Sequence, residues 1–177
     1  MCLRSLNRLE QTTGICVKIV RKTDKPDEFR NQWAMFSKDG SGGAGGAGAG
    51  TRRSVKKYNR SGVVYKIDRT YRVKHSRMAR SEHMSLPYLA LVHCYKSLGG
   101  AEQDCGQRVK AGDHVYIICK YAGGQYQDTD SLTAKYVTPL FALTHKQAQE
   151  FKEVIREHGF KKAVQLVNCV KGIFKGE

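Results

Sequence analysis

The period of the apolar residues changes once along this chain, at Thr144, and that change limits what it can fold into. Before Thr144 the readable segments are strand-like, by period-two alternation in 14–21 and 62–74 and by β-branched and aromatic composition in 114–121; after it, apolar residues recur at helical spacing. Strands followed by a run of helices build an α+β domain on an antiparallel sheet, not an alternating α/β fold. GICVKIVR, 14–21, places Ile15, Val17 and Ile19 on one face. HVYIICKY, 114–121, is β-branched and aromatic between the turn Ala111-Gly112-Asp113 and Gly123–Gly124. LTAKYVTPLF, 132–141, is a further strand whose Pro139 marks its end or an edge. Residues 62–74 give the longest alternation: Val63, Tyr65, Ile67, Tyr71 and Val73 share one face, interrupted only by Arg69. MSLPYLALVHCYKSLGG fits a buried strand or a short helix ended by Gly99–Gly100, and KPDEFRNQWAMF fits a turn of helix capped by Asp27 with Trp33 and Phe36 on one side.

The tail is explicit. Thr144 and Gln147 form a capping box, Ala148, Phe151, Val154 and Ile155 make an apolar stripe, and Gly159 ends the helix. A second helix carries Phe160, Ala163, Val164, Val167, Val170 and Phe174 in register. The expected fold is therefore α+β, an antiparallel β-sheet of about five strands with a C-terminal two-helix hairpin. A jelly-roll-like β-sandwich with appended helices is the alternative, since 114–121 and 132–141 would suit its last two strands.

Charge divides the chain differently. The 177 residues carry a formal net charge of +15, and residues 51–80 alone hold eleven cations against the single acid Asp68. A compact fold with that excess repels itself unless an anionic partner neutralises it, and a merely solubilising surface would mix its signs. Just before the block, DGSGGAGGAGAG (39–50) lacks the large side chains that could offset ordering, and so reads as a flexible loop. It lacks the Lys-Ser/Thr ending of a phosphate-cradling loop. The organisation expected is an N-terminal strand and short helix (1–38), the Gly/Ala-rich loop (39–50), a basic segment (51–80), a β-rich core (81–143) and the helical hairpin (144–177).

Other classes are less well served. The longest apolar run, LPYLALVHCY, is too short for a membrane span, and the first residues lack the apolar stretch of a secretory signal. Arg4, Ser5 and Arg8 among Leu3, Leu6 and Leu9 are features of an organellar presequence, against which Glu10 and the short reach count. Cysteines 2, 16, 94, 105, 119 and 169 form no C-x-x-C pair, so reduced thiols are expected, with Cys16, Cys119 and Cys169 inside apolar runs. The expected location is intracellular (cytoplasm or nucleus) or within a virion, with an organelle as the further option.

These features point to a structural nucleic-acid-binding protein. Cations neutralise phosphates, and tyrosines between them stack on unpaired bases. Arg52, Arg53, Lys56, Lys57 and Arg60 would form an arm, Lys66, Arg72 and Lys74 a fixed rail, and Arg77 and Arg80 its continuation, with Arg69 the odd cation on the apolar face. Tyr58, Tyr65 and Tyr71 are the candidate stacking rings, although Tyr65 and Tyr71 sit among core-type neighbours. RNA or single-stranded DNA is the expected partner, bound by its backbone with little sequence specificity, in a viral capsid or nucleocapsid or in a ribonucleoprotein or ribosomal particle. Self-association or contact with other subunits would fall to the C-terminal helices. A helix-turn-helix reading, with Gln165 and Asn168 reaching bases, is opposed by Glu150, Glu153 and Glu157. A small nuclease using His75 or His83 is the alternative function. No spacing demands catalysis, a metal or a cofactor, and the period-two basic segment does not suit a membrane-surface helix.

Overall fold

The computed structural model describes residues 7–31, 64–72, 78–79, 88–89 and 91–174. Its strands are β1 (Asn7–Arg8), β2 (Thr13–Lys22), β3 (Glu28–Asn31), β4 (Val64–Lys66), β5 (Tyr71–Arg72), β6 (Met78–Ala79), β7 (Tyr88–Leu89), β8 (Val92–Tyr95), β9 (His114–Gln127) and β10 (Ser131–Leu143). Its helices are α1 (Leu98–Lys110), α2 (His145–His158) and α3 (Phe160–Phe174). The fold is α+β. Eight strands form the main sheet, where about five were expected, and β6 pairs with β7 alone. No helix among the described residues is long and apolar enough to cross a membrane.

The long β9–β10 hairpin is the frame. Asp128 makes its turn: one carboxylate oxygen accepts from the backbone N–H groups of Asp130 and Ser131, at 3.1 and 2.7 Å. The free edge of β9 carries β2, from Thr13↔Ala122 to Arg21↔His114, while the free edge of β10 carries β8 and β5. β8 also meets β2 at Val17↔Tyr95. The circuit β2–β9–β10–β8 thus closes on itself, and β3 and β4 extend its wall. Within the described residues this is one sheet curled into a small barrel, not the two stacked sheets of the jelly-roll alternative.

Side-chain parity divides the core in two. Cys16 and Val20 of β2 meet Val115, Ile117, Cys119 and Tyr121 of β9, with Phe29, Tyr65, Val92, Cys94, Leu132, Ala134 and Val137, inside the barrel. The alternate residues Val17, Ile19, Tyr116, Ile118, Phe141 and Leu143 point outward and are covered by Leu98, Ala101 and Val109 of α1, Ala148 and Phe151 of α2, and Ala163 and Val164 of α3. Burial on both faces explains the near-continuous apolar composition of these strands. Phe141 and Phe151 meet edge to face, 5.7 Å between centroids, and seat the helical layer.

The tail matches expectation. The Thr144 hydroxyl accepts from the Gln147 N–H, the Gln147 side chain accepts from the Thr144 N–H at 2.9 Å, and Gly159 caps α2. Elsewhere the structure corrects the reading. Gly99–Gly100 open helix α1 instead of ending one, because the Ser97 hydroxyl accepts from the Gly100 N–H at 3.1 Å and acts as its N-cap. Residues 28–31 are a strand, so Asp27 caps no helix there; Trp33 and Phe36 lie outside the described residues. Gly123–Gly124 lie within β9, where the positive φ of Gly123 kinks the strand. Pro139 sits inside β10 at a register shift, where a missing N–H is tolerated. Cys169 is exposed, unlike Cys16 and Cys119.

Candidate nucleic-acid interface

The alternation over 62–74 does not form one strand. β4 pairs with β3 (Glu28↔Lys66) and β5 pairs with β10 (Tyr136↔Arg72), so the chain must cross from one wall strand to another. A tight turn at residues 67–70 makes the crossing. Asp68 adopts φ +60°, its N–H donates to the Pro139 carbonyl at 2.8 Å, and the Ile67 N–H donates to the Asp27 carbonyl at 3.3 Å. Arg69 therefore lies exposed in a turn rather than on an apolar strand face, which removes the anomaly it posed. The Thr70 and Thr138 hydroxyls, 2.8 Å apart, pin the turn to β10.

Residues 64–66 and 69–72 line a groove of about 800 Å³, with Lys66, Arg69 and Arg72 contributing charge. The three cations are not equivalent. Lys66 reaches Glu28 at 2.5 Å, and that ammonium holds the Glu28 carboxyl below its ordinary pKa. Arg72 instead lies over the Tyr136 ring, 5.7 Å from its centroid. Tyr65 is in the barrel interior at 1% exposure, out of reach of a base, whereas Tyr71 is half-buried and meets it edge-on at 5.3 Å. Burial raises the pKa of both phenols. Arg52, Arg53, Lys56, Lys57, Tyr58, Arg60, Lys74, Arg77 and Arg80 lie outside the described residues, as do the 39–50 loop, residues 1–6, His75 and His83.

Three residues that the sequence reading passed over join this surface. Tyr136 is opposite Arg72 on one side and Ala122 on the other; two positions along, Thr138 is opposite Lys120. Their inward-facing neighbours, Cys119, Tyr121 and Val137, occupy the barrel core, so Lys120, Tyr136 and Thr138 face out with Thr70 and Arg72. Lys135 lies over the same Tyr136 ring at 5.6 Å. Strands β2, β5, β9 and β10 contain no acidic residue. Residues 81–144 balance five basic against six acidic side chains, which hid this; the described acids of that region sit in α1 and in turns.

The interior holds one surprise. Lys18 points between Cys16 and Val20 at 5% exposure, donates to the His93 carbonyl at 2.9 Å and stands 5.6 Å from the Tyr65 ring centroid. Burial, with Lys18 nearby, lowers the His93 pKa to about 3. Cys16 is pushed up by burial and Cys94 by its hydrogen bond with Cys16, so neither supplies a thiolate at neutral pH. Among the described residues no three His, Cys, Asp or Glu are placed to hold a metal ion. In the helical hairpin Gln165 is exposed and Asn168 half-buried, with Glu150, Glu153 and Glu157 exposed on the adjoining helix.

Comparison of the chain with family models, with curated proteins and with solved structures finds no match.

Proposed function

We propose that the protein is a structural nucleic-acid-binding subunit, gripping the phosphate backbone of RNA or single-stranded DNA with little sequence preference, within a viral nucleocapsid or shell or a ribonucleoprotein. The observation that carries the reading is the concentration of eleven cations against one acid in residues 51–80. Support comes from the exposed placement of Arg69 and Arg72 beside the groove, and from β5 and β10 alongside it, which carry no acid, Glu28 of β3 being matched by Lys66. Leu166 and Val170, exposed on α3 at 41% and 52%, are the apolar surface we assign to contact with other subunits.

Counterion release tests the reading. If about five phosphates of a single strand are engaged, log affinity falls against log salt with a slope near −3.5. A fluorescence-anisotropy titration of a labelled oligonucleotide between 50 and 300 mM salt measures it. A flat response refutes the proposal. Incubating the same protein with labelled RNA, with and without a chelator, separates binding from the nuclease alternative, which requires cleavage.

A further inference from the structure

Among the described residues, helices cover the outward face of the barrel at one end and leave the other end uncovered. The open end carries Tyr136, with Arg72 and Lys135 over its ring and Lys120 two residues away across the β9–β10 pair. Leu132 and Ala134 face the barrel interior, and so does Val137, so two consecutive residues, Lys135 and Tyr136, fall between inward-facing positions, just past the register shift between Leu132 and Ala134. Gly123 makes room opposite: at φ +63°, a Cβ there would lie 3.0 Å from the Cβ of Lys135 and 3.6 Å from the Tyr136 ring.

A half-buried aromatic ring under two cations, with Lys120 two residues along the neighbouring strand and no acid on these strands, suits neither a core nor an ordinary solvated face. Core rings have apolar neighbours, and solvated faces mix signs. A Tyr face is, by contrast, a platform for an unpaired base, and cations on either side meet the flanking phosphates. Resting on the nucleic-acid reading above, we infer that Tyr136 is a base-stacking site for single-stranded nucleic acid, with Arg72, Lys120 and Lys135 receiving the adjoining phosphates. A base that takes the place of the Lys135 ammonium on the ring frees that ammonium for its own phosphate. The site excludes paired bases, whose faces are already stacked.

The test compares two probes of equal charge, a labelled twelve-residue oligothymidylate and a labelled abasic strand with the same number of phosphates. Wild type should bind the oligothymidylate more tightly. Tyr136→Leu, which keeps apolar bulk, should lose about 5- to 150-fold on the oligothymidylate and nothing on the abasic strand. Tyr136→Phe, which keeps the ring, should behave as wild type. Far-UV circular dichroism and thermal unfolding establish that each variant is folded. Equal wild-type affinity for both probes, or an equal loss on both in Tyr136→Leu, overturns the stacking site and leaves backbone binding standing. Failure of wild type to bind either probe overturns the underlying reading as well.

Discussion

Replacing Tyr65 by Phe should make this protein more stable. The Tyr65 hydroxyl is shut away from solvent inside the barrel and has no hydrogen-bond partner among the described residues. A buried hydroxyl left unpaired costs about 1–3 kcal/mol, and removing it leaves only a void the size of one oxygen. The ring keeps its contacts in the variant: the edge-to-face meeting with Tyr71 at 5.3 Å and the Lys18 ammonium at 5.6 Å. We expect a gain of about 1–2 kcal/mol, or roughly 2–8 °C in Tm for a chain of this size. Tyr65→Leu tests the opposite sign, since it loses the ring, its aromatic neighbour and the cation over its face, for a cost of about 2–4 kcal/mol. Urea unfolding followed by far-UV circular dichroism measures both. Destabilisation of Tyr65→Phe by more than about 1 kcal/mol would show that the hydroxyl has a partner and that the interior is arranged differently. Neither variant should change the salt slope of nucleic-acid binding, because Tyr65 lies behind the surface.

Acid should destabilise the protein before its carboxylates protonate. His93 stays neutral in the fold down to about pH 3, whereas in the unfolded chain it takes a proton near pH 6.5, so stability present above 6.5 is lost as pH falls. The loss between pH 6.5 and 4 should reach about 2–3 kcal/mol and be largely absent in His93→Gln, as read by urea midpoints at pH 7, 5.5 and 4.5. Thr144→Ala breaks the capping box and should cost about 1 kcal/mol by thermal unfolding. Gly159→Ala forces a side chain into φ +77° and ψ 155° and should cost about 1–3 kcal/mol in the same assay. Arg72→Gln should make the salt slope shallower by about 0.7, while Lys66→Gln, whose charge is already matched by Glu28, should change it less; equal effects would mean that the ion pair opens on binding.

Local physics was readable from the residues alone. Alternation marked β2, β-branched and aromatic composition beside turn residues marked β9 and β10, and Thr144, Gln147 and Gly159 marked both ends of α2, because the groups involved lie within a few residues of each other. Helix α1 was missed for a local reason of another kind: two glycines in its first turn and a third at Gly106 imitate a loop, and its few apolar residues are widely spaced. The charge excess of residues 51–80 was equally plain, since it is a count and needs no fold.

Closure of the sheet was not readable, and most of the unforeseen features descend from it. Parity states that Cys16, Lys18 and Val20 share a face of β2. Only the return of β8, some 75 residues later, makes that face an interior and sets the Lys18 ammonium against the His93 carbonyl. The same closure splits 62–74 at Asp68, because a single straight strand cannot pair with both β3 and β10. It also brings Arg72 to Tyr136 and sets both on the face that carries Lys120, through pairings between segments that no periodicity connects. Side-chain direction along a strand is decided by the pleat. Which strand lies alongside is decided by the packing of the whole chain.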